Sequence, residues 1–82
     1  MKSNETVLTL REYGKVHICL REQLEMRNMT RNQLARAINT RFEVVDKWYQ
    51  GELEKIDADI LARICFVLQC EVKDLLQYEK PE

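Results

Sequence analysis

Thr30 to Gly51 reads TRNQLARAINTRFEVVDKWYQG, and the fold turns on this stretch. The Thr30 hydroxyl can accept a backbone N–H, and Gln33, three residues on, completes a capping box that starts a helix. Leu34, Ala35 and Ile38 then fall on one face of that helix as a buried stripe. Ile38-Asn39-Thr40 predicts a tight turn with one residue in the left-handed region, which asparagine tolerates better than most non-glycine residues. A second helix follows from about Phe42 to Gln50, with Val45 and Trp48, spaced i, i+3, facing the core and Gly51 just past its end. Leu34 and Ala35 must meet Val45 and Trp48, and Ala35 is small, as a close helix crossing demands. The outer face of the second helix is thereby turned away from the core.

Working outward, Leu20 and Leu24 stand i, i+4 on a helix that begins near Cys19 and ends at Asn28-Met29. On the other side, Asp57 caps a longer helix whose Ile60, Leu61, Ile64, Cys65 and Leu68 make one broad apolar face. Ile56, just before that cap, is expected to pack back on the helix as a staple. Val72, Leu75 and Leu76 predict a last short helix. The expected fold class is therefore all-α, a compact bundle of about five short helices. The N-terminal part allows a short strand or hairpin: Thr6-Val7-Leu8-Thr9-Leu10 is β-branched and apolar, Tyr13-Gly14-Lys15 can turn, and Val16-His17-Ile18 alternates. Two strands alone are marginal in water, so a strand here is expected to pair with another chain or pack on the helices. The chain divides into an N-terminal arm at 1–17, a helix-turn-helix domain at 18–78 and a tail at 79–82.

The bulk numbers fit that reading. A chain of 82 residues with 45% apolar and 33% charged residues is expected to form one domain with one modest core. Two glycines and one proline leave few turns and favour helices. No apolar run approaches the roughly 20 residues of a membrane span, and Met1-Lys2-Ser3-Asn4-Glu5 lacks the pattern of a signal peptide, so the expected location is cytoplasmic. Cys19, Cys65 and Cys70 leave an odd thiol under any pairing, which favours free, buried cysteines over a disulfide framework. The Cys65–Cys70 spacing fits no common zinc knuckle, His17 has no partner motif nearby, and no metal or other cofactor is expected.

A net charge of −1 conceals a division along the chain. Between Arg11 and Trp48 the basic residues Arg11, Lys15, Arg21, Arg27, Arg31, Arg36, Arg41 and Lys47 outnumber Glu12, Glu22, Glu25, Glu43 and Asp46. From Tyr49 to Glu82 the acidic residues outnumber the basic ones two to one. A basic front and an acidic rear suit a domain that binds nucleic acid on one side.

The stretch from Thr30 to Gly51 resembles the Cro/repressor-type, or XRE-like, helix-turn-helix family. That family reads approximately T-Q-x-E-L-A-x-x-x-G-[IV]-S-x-x-x-[IV]-S-x-W-E-x-G. Thr30, Leu34, Ala35, Val45, Trp48 and Gly51 match without a gap, and Gln33 and Asn39 are close substitutes. Ile56-Asp57 through Ile64-Cys65, Leu68, Cys70 and Asp74-Leu75-Leu76 look like the last two helices of one bacterial subfamily, so the resemblance covers about Ile18 to Tyr78. The departures are Arg31 for glutamine, Arg41 and Asp46 for small hydroxyl residues, and Tyr49 for glutamate. Core positions are kept while outward ones differ, which implies a lambda-repressor-like fold reading a different DNA sequence.

The resemblance implies a sequence-specific regulator of transcription, of bacterial or phage repressor type, that binds double-stranded DNA. Its helix at about 42–50 would lie in the major groove. Arg41 would pair with guanine, Phe42 would touch a thymine methyl, Glu43 would accept from cytosine N4, and Lys47 would reach a further base or a phosphate. Arg31, at the start of the preceding helix, and Arg36 would contact phosphates. A homodimer on a palindromic operator follows from the small surface that one unit buries.

Two other readings compete. Arg41, Phe42, Glu43 and Lys47 could be a solvated helix face, with the domain serving as a scaffold for protein interaction through its acidic rear or Val7–Ile18. Catalysis is not expected, because the chain has no Ser/His/Asp set and no glycine-rich phosphate loop, and so small a domain rarely encloses a substrate pocket.

Overall fold

Capping chemistry sets where the helices begin and end. In the computed structural model, which describes residues 13–81, the elements run β1 (Lys15–Ile18), α1 (Leu20–Met26), α2 (Arg31–Ala37), α3 (Phe42–Gln50), α4 (Ala58–Leu68), α5 (Val72–Leu75) and β2 (Leu76–Glu79). Thr30 caps α2 with the expected reciprocal box: its hydroxyl accepts from Gln33 N at 3.0 Å, and Thr30 N donates to Gln33 Oε1 at 2.8 Å. Asp57 caps α4 by accepting from the backbone N–H groups of Asp59 and Ile60. Gly51 closes α3 at φ 74°, and Asn39 holds the turn after α2 at φ 56°. Asn28 takes the same left-handed conformation after α1, at φ 52°, and so does Gln69 after α4, at φ 54°.

The core is the meeting of the stripes read from the sequence. Leu20, Leu24, Leu34, Ala35, Ile38, Val45, Trp48, Ile60, Ile64, Leu68 and Leu75 are all buried, with Trp48 only 1% exposed. Leu61 and Cys65 pack against this cluster from its edge. Burying these side chains supplies the main driving force for a fold this small.

Two arginines tie helix ends together. Arg27 donates from Nε and Nη2 to the Leu68 carbonyl at the end of α4, at 3.2 and 2.9 Å, and from Nη1 to Gln23. Arg63 on α4 donates to the Ile38 carbonyl at the end of α2, at 3.0 Å. Both satisfy carbonyls that a helix C-terminus leaves without a partner.

The strand at Val16–Ile18 exists, and Ile18 packs against the helical core as expected, but its hydrogen-bonded neighbour is a second strand that the sequence did not suggest. β1 pairs antiparallel with β2 of the same chain, in the register Lys15↔Glu79, Val16↔Tyr78, His17↔Gln77 and Ile18↔Leu76. The helical bundle returns the chain to its starting point, so a strand too short to stand alone gains a neighbour from the other end. Leu76, expected in the last helix, opens β2 instead, and Glu79, read as the first tail residue, closes it. Ile56, expected as a staple, stays 39% exposed and outside the core. Thr6–Leu10 lies outside the described residues.

Candidate nucleic-acid interface

The turn between α2 and α3 sets the geometry of the outer face. Asn39 N donates to Arg36 O at 3.2 Å and Thr40 N to Ala35 O at 2.9 Å, which folds the chain sharply before Arg41. Arg41 occupies the N-cap of α3 in an extended conformation, with no side-chain hydrogen bond to the helix. Its guanidinium is thus left to the surface. Val45 and Trp48 hold the inner side of α3 in the core, while Arg41, Phe42, Glu43 and Lys47 are exposed.

These four residues do not form one group. Arg41, Glu43 and Lys47 surround a surface groove of about 260 Å³ floored by Val44. Phe42 belongs to the adjoining flank of α3, where the Arg31 guanidinium lies 5.6 Å from its ring centre. Arg31 is half-buried and already engaged: its Nη1 donates to Asp46 Oδ1 at 2.6 Å, and its guanidinium stacks 4.4 Å from the Tyr49 ring centre. Arg36 is exposed in the last turn of α2, away from this cluster.

Sequence reasoning missed the partners of Arg31. The sequence marks Asp46 as an acidic departure from a small hydroxyl residue and Tyr49 as a replaced glutamate, and gives neither a partner. The signal was present: Phe42, Asp46 and Tyr49 stand at i, i+4 and i+7, a spacing that places them on one helix face. Arg21, on α1, completes the cluster, 4.7 Å from the same Tyr49 ring and 3.4 Å from Gln50 Oε1.

Cys19, Cys65 and Cys70 are free and half-buried, and burial pushes the Cys19 and Cys70 thiols up, away from the thiolate form. Among the described residues no group of three or more His, Cys, Asp or Glu side chains is placed to hold a metal ion. Nor is any of the described helices long and apolar enough to cross a membrane.

Residues 19–81 match the model of the Cro/C1-type HTH DNA-binding domain, and the chain belongs to that family. The fold is also that of two solved structures. One is a Bacteroides fragilis protein whose DNA-binding role is itself an assignment, similar at TM-score 0.68 and 14% identity over 77% of this chain and 100% of that one. The other is the transcriptional regulator VanUg, similar at TM-score 0.67 and 24% identity over 87% of this chain and 92% of that one. No curated protein sequence matches the chain.

Proposed function

We propose that this protein is a sequence-specific regulator of transcription of repressor type, acting as a homodimer with α3 in the major groove of duplex DNA. The observation that carries this reading is the division of α3. Val45 and Trp48 are buried at 0% and 1% exposure, and Arg41, Glu43 and Lys47 share one open groove on the outside. A helix so anchored fixes which positions face outward, the first requirement for presenting side chains to base edges. In this reading Arg41 pairs bidentately with guanine O6 and N7, Glu43 accepts from cytosine N4, Phe42 meets a thymine methyl at the edge of the groove, and Lys47 reaches a base or phosphate one turn along. Arg31 and Arg36 contact the backbone on the flank.

Two copies on a palindrome would set their α3 helices roughly 34–36 Å apart, one turn of DNA. The test is a binding selection on random duplex DNA at two salt concentrations, with the stoichiometry on the selected duplex measured by analytical ultracentrifugation. An enriched palindrome, salt-sensitive affinity and two protein chains per duplex are the expected results. Monomer alone on the selected DNA would sink the dimer.

A second reading, an interaction module without specific DNA binding, draws on one observation. Phe66 is 76% exposed and helps line a groove of about 400 Å³ with Ala37, Ile38, Ala62 and Val67, bordered by Asn39 and Arg63. The same selection decides between the two, since a module of that kind would enrich no sequence.

A further inference from the structure

The flank of α3 carries a network that adjoins the base-reading face and meets it at Phe42. Three helices build it. Arg21 comes from α1, Arg31 from α2, and Phe42, Asp46, Tyr49 and Gln50 from α3. The Arg21 and Arg31 guanidinium carbons lie 4.7 and 4.4 Å from the centre of the Tyr49 ring, which brings two positive charges to one aromatic side chain. Arg31 is tied further by Asp46 at 2.6 Å, and Gln50 closes the circuit, accepting from Arg21 at 3.4 Å and donating to Asp46 at 3.5 Å.

We propose that Arg21 and Arg31 form one clamp for a single backbone phosphate of DNA, with Tyr49 and Asp46 as the residues that position it. This rests on the reading of α3 as the helix that enters the major groove. Two arguments support the clamp itself. The first is charge. The cluster holds two guanidinium groups against one carboxylate, and among the described residues no ion pair involves Arg21. The two charges sit within a Debye length of each other, about 10 Å at 0.1 M salt, so they act on an anion together. The second is donor supply. Stacking on an aromatic ring occupies the face of a guanidinium and leaves its N–H edge free. Each arginine carries five N–H donors, and the contacts above use only one direction of each. Phosphate oxygens accept such planar forks well.

Placement agrees. At 3.6 residues per turn, the Phe42–Asp46–Tyr49 stripe lies roughly a third of a turn around α3 from the Glu43–Lys47 stripe. The major groove is only about 12 Å wide, so the flank of a helix within it faces a phosphate backbone. Holding the side chains on Tyr49 and Asp46 before DNA arrives removes much of the entropy cost of ordering two long side chains on binding.

Binding of the purified full chain to a mixed-sequence 20-base-pair duplex, measured across a salt series, tests the clamp. Thermal unfolding of each variant confirms that it folds. Arg21→Gln is expected to lower affinity roughly tenfold at 0.1 M salt and to flatten the slope of log affinity against log salt by about 0.9, the signature of one lost phosphate. Tyr49→Phe keeps the aromatic face and should bind like the parent protein, whereas Tyr49→Leu should lose several-fold in affinity. An Arg21→Gln variant with an unchanged salt slope would overturn the clamp while leaving the regulator reading intact. A Tyr49→Leu variant that loses thermal stability but binds as tightly as the parent would reduce Tyr49 to packing. A parent protein with no salt-sensitive duplex binding would overturn both readings together.

Discussion

The imidazole of His17 and the carboxylate of Glu79 are hydrogen-bonded diagonally across the two-stranded sheet, joining the first element of the described chain to the last. Both side chains are about half exposed, so the pair sits in water and its contribution to stability is small. Its signature is in titration.

The hydrogen bond from His17 and the charge of that imidazole hold the Glu79 carboxyl below its ordinary value of 4.5. A carboxyl lowered in the folded state contributes stability above its unfolded value and loses it as the pH falls through the folded one. The Glu79 contribution is therefore fully present above about pH 4.5 and is lost progressively as the pH falls from there through the lowered folded value. In His17→Ala protein the Glu79 side-chain carbon, followed by NMR, should titrate at higher pH than in the parent. An identical titration curve would show that the pairing does not form in solution.

The two glycines are required for different reasons, which separates the effects of replacing them by alanine. A Cβ at Gly14 would lie 1.7 Å from the Glu79 carbonyl oxygen, so Gly14→Ala must push β1 away from β2 and should cost about 1–3 kcal/mol. At Gly51 a Cβ meets nothing within 4 Å, but φ is 74°, so Gly51→Ala should cost about 1–2 kcal/mol through the backbone alone. Urea unfolding measures both. Hydrogen exchange distinguishes them: Gly14→Ala should accelerate the amides of β1 and β2, and Gly51→Ala should not.

Arg41 and Arg36 should differ in kind. Arg41→Ala, at the rim of the α3 groove, is expected to relax preference at one base pair, a loss of about 1–3 kcal/mol against the best site. Arg36→Ala should weaken all duplexes alike and reduce the salt slope by about one. Base-substitution series on the selected duplex would separate the roles. Matching profiles for the two variants would show that the assignment is wrong.

Arg27 belongs to the basic front by sequence, yet its guanidinium is spent on the Leu68 carbonyl and on Gln23. Arg27→Met keeps much of the stem and removes the donors. It should cost about 1.5–3 kcal/mol of stability, the usual range for a hydrogen bond to a charged group. The salt slope of DNA binding should not change. A flattened slope would place Arg27 on the phosphate side after all.

Local chemistry made most of the helical architecture legible in advance. Thr30 and Gln33 can satisfy each other only as a capping box, Asp57 has a cap to fill, and Asn39 and Gly51 tolerate the left-handed backbone that stops a helix. The buried stripe of each helix follows from spacing alone, because 3.6 residues per turn sort positions by face. The outward placement of Arg41, Glu43 and Lys47 is likewise legible, since anchoring Val45 and Trp48 leaves them outside, but the groove that gathers these three without Phe42 is not.

Long-range partnership was a different matter. Val16–Ile18 alternates like a strand, but four residues carry no information about which segment completes the sheet. Only the return of α5 beside α1 brings Leu76–Glu79 within reach, with Cys19 N donating to Leu75 O at 2.7 Å. Arg21, Arg27, Arg31 and Arg63 look alike in sequence, and a long flexible side chain can reach many acceptors. The helices, their faces and the helix-turn-helix unit are written in the chain itself, because these depend on interactions within a few residues. Tertiary packing decided the partner of β1 and the division of labour among the arginines, because each depends on where a distant backbone carbonyl, carboxylate or aromatic ring comes to rest.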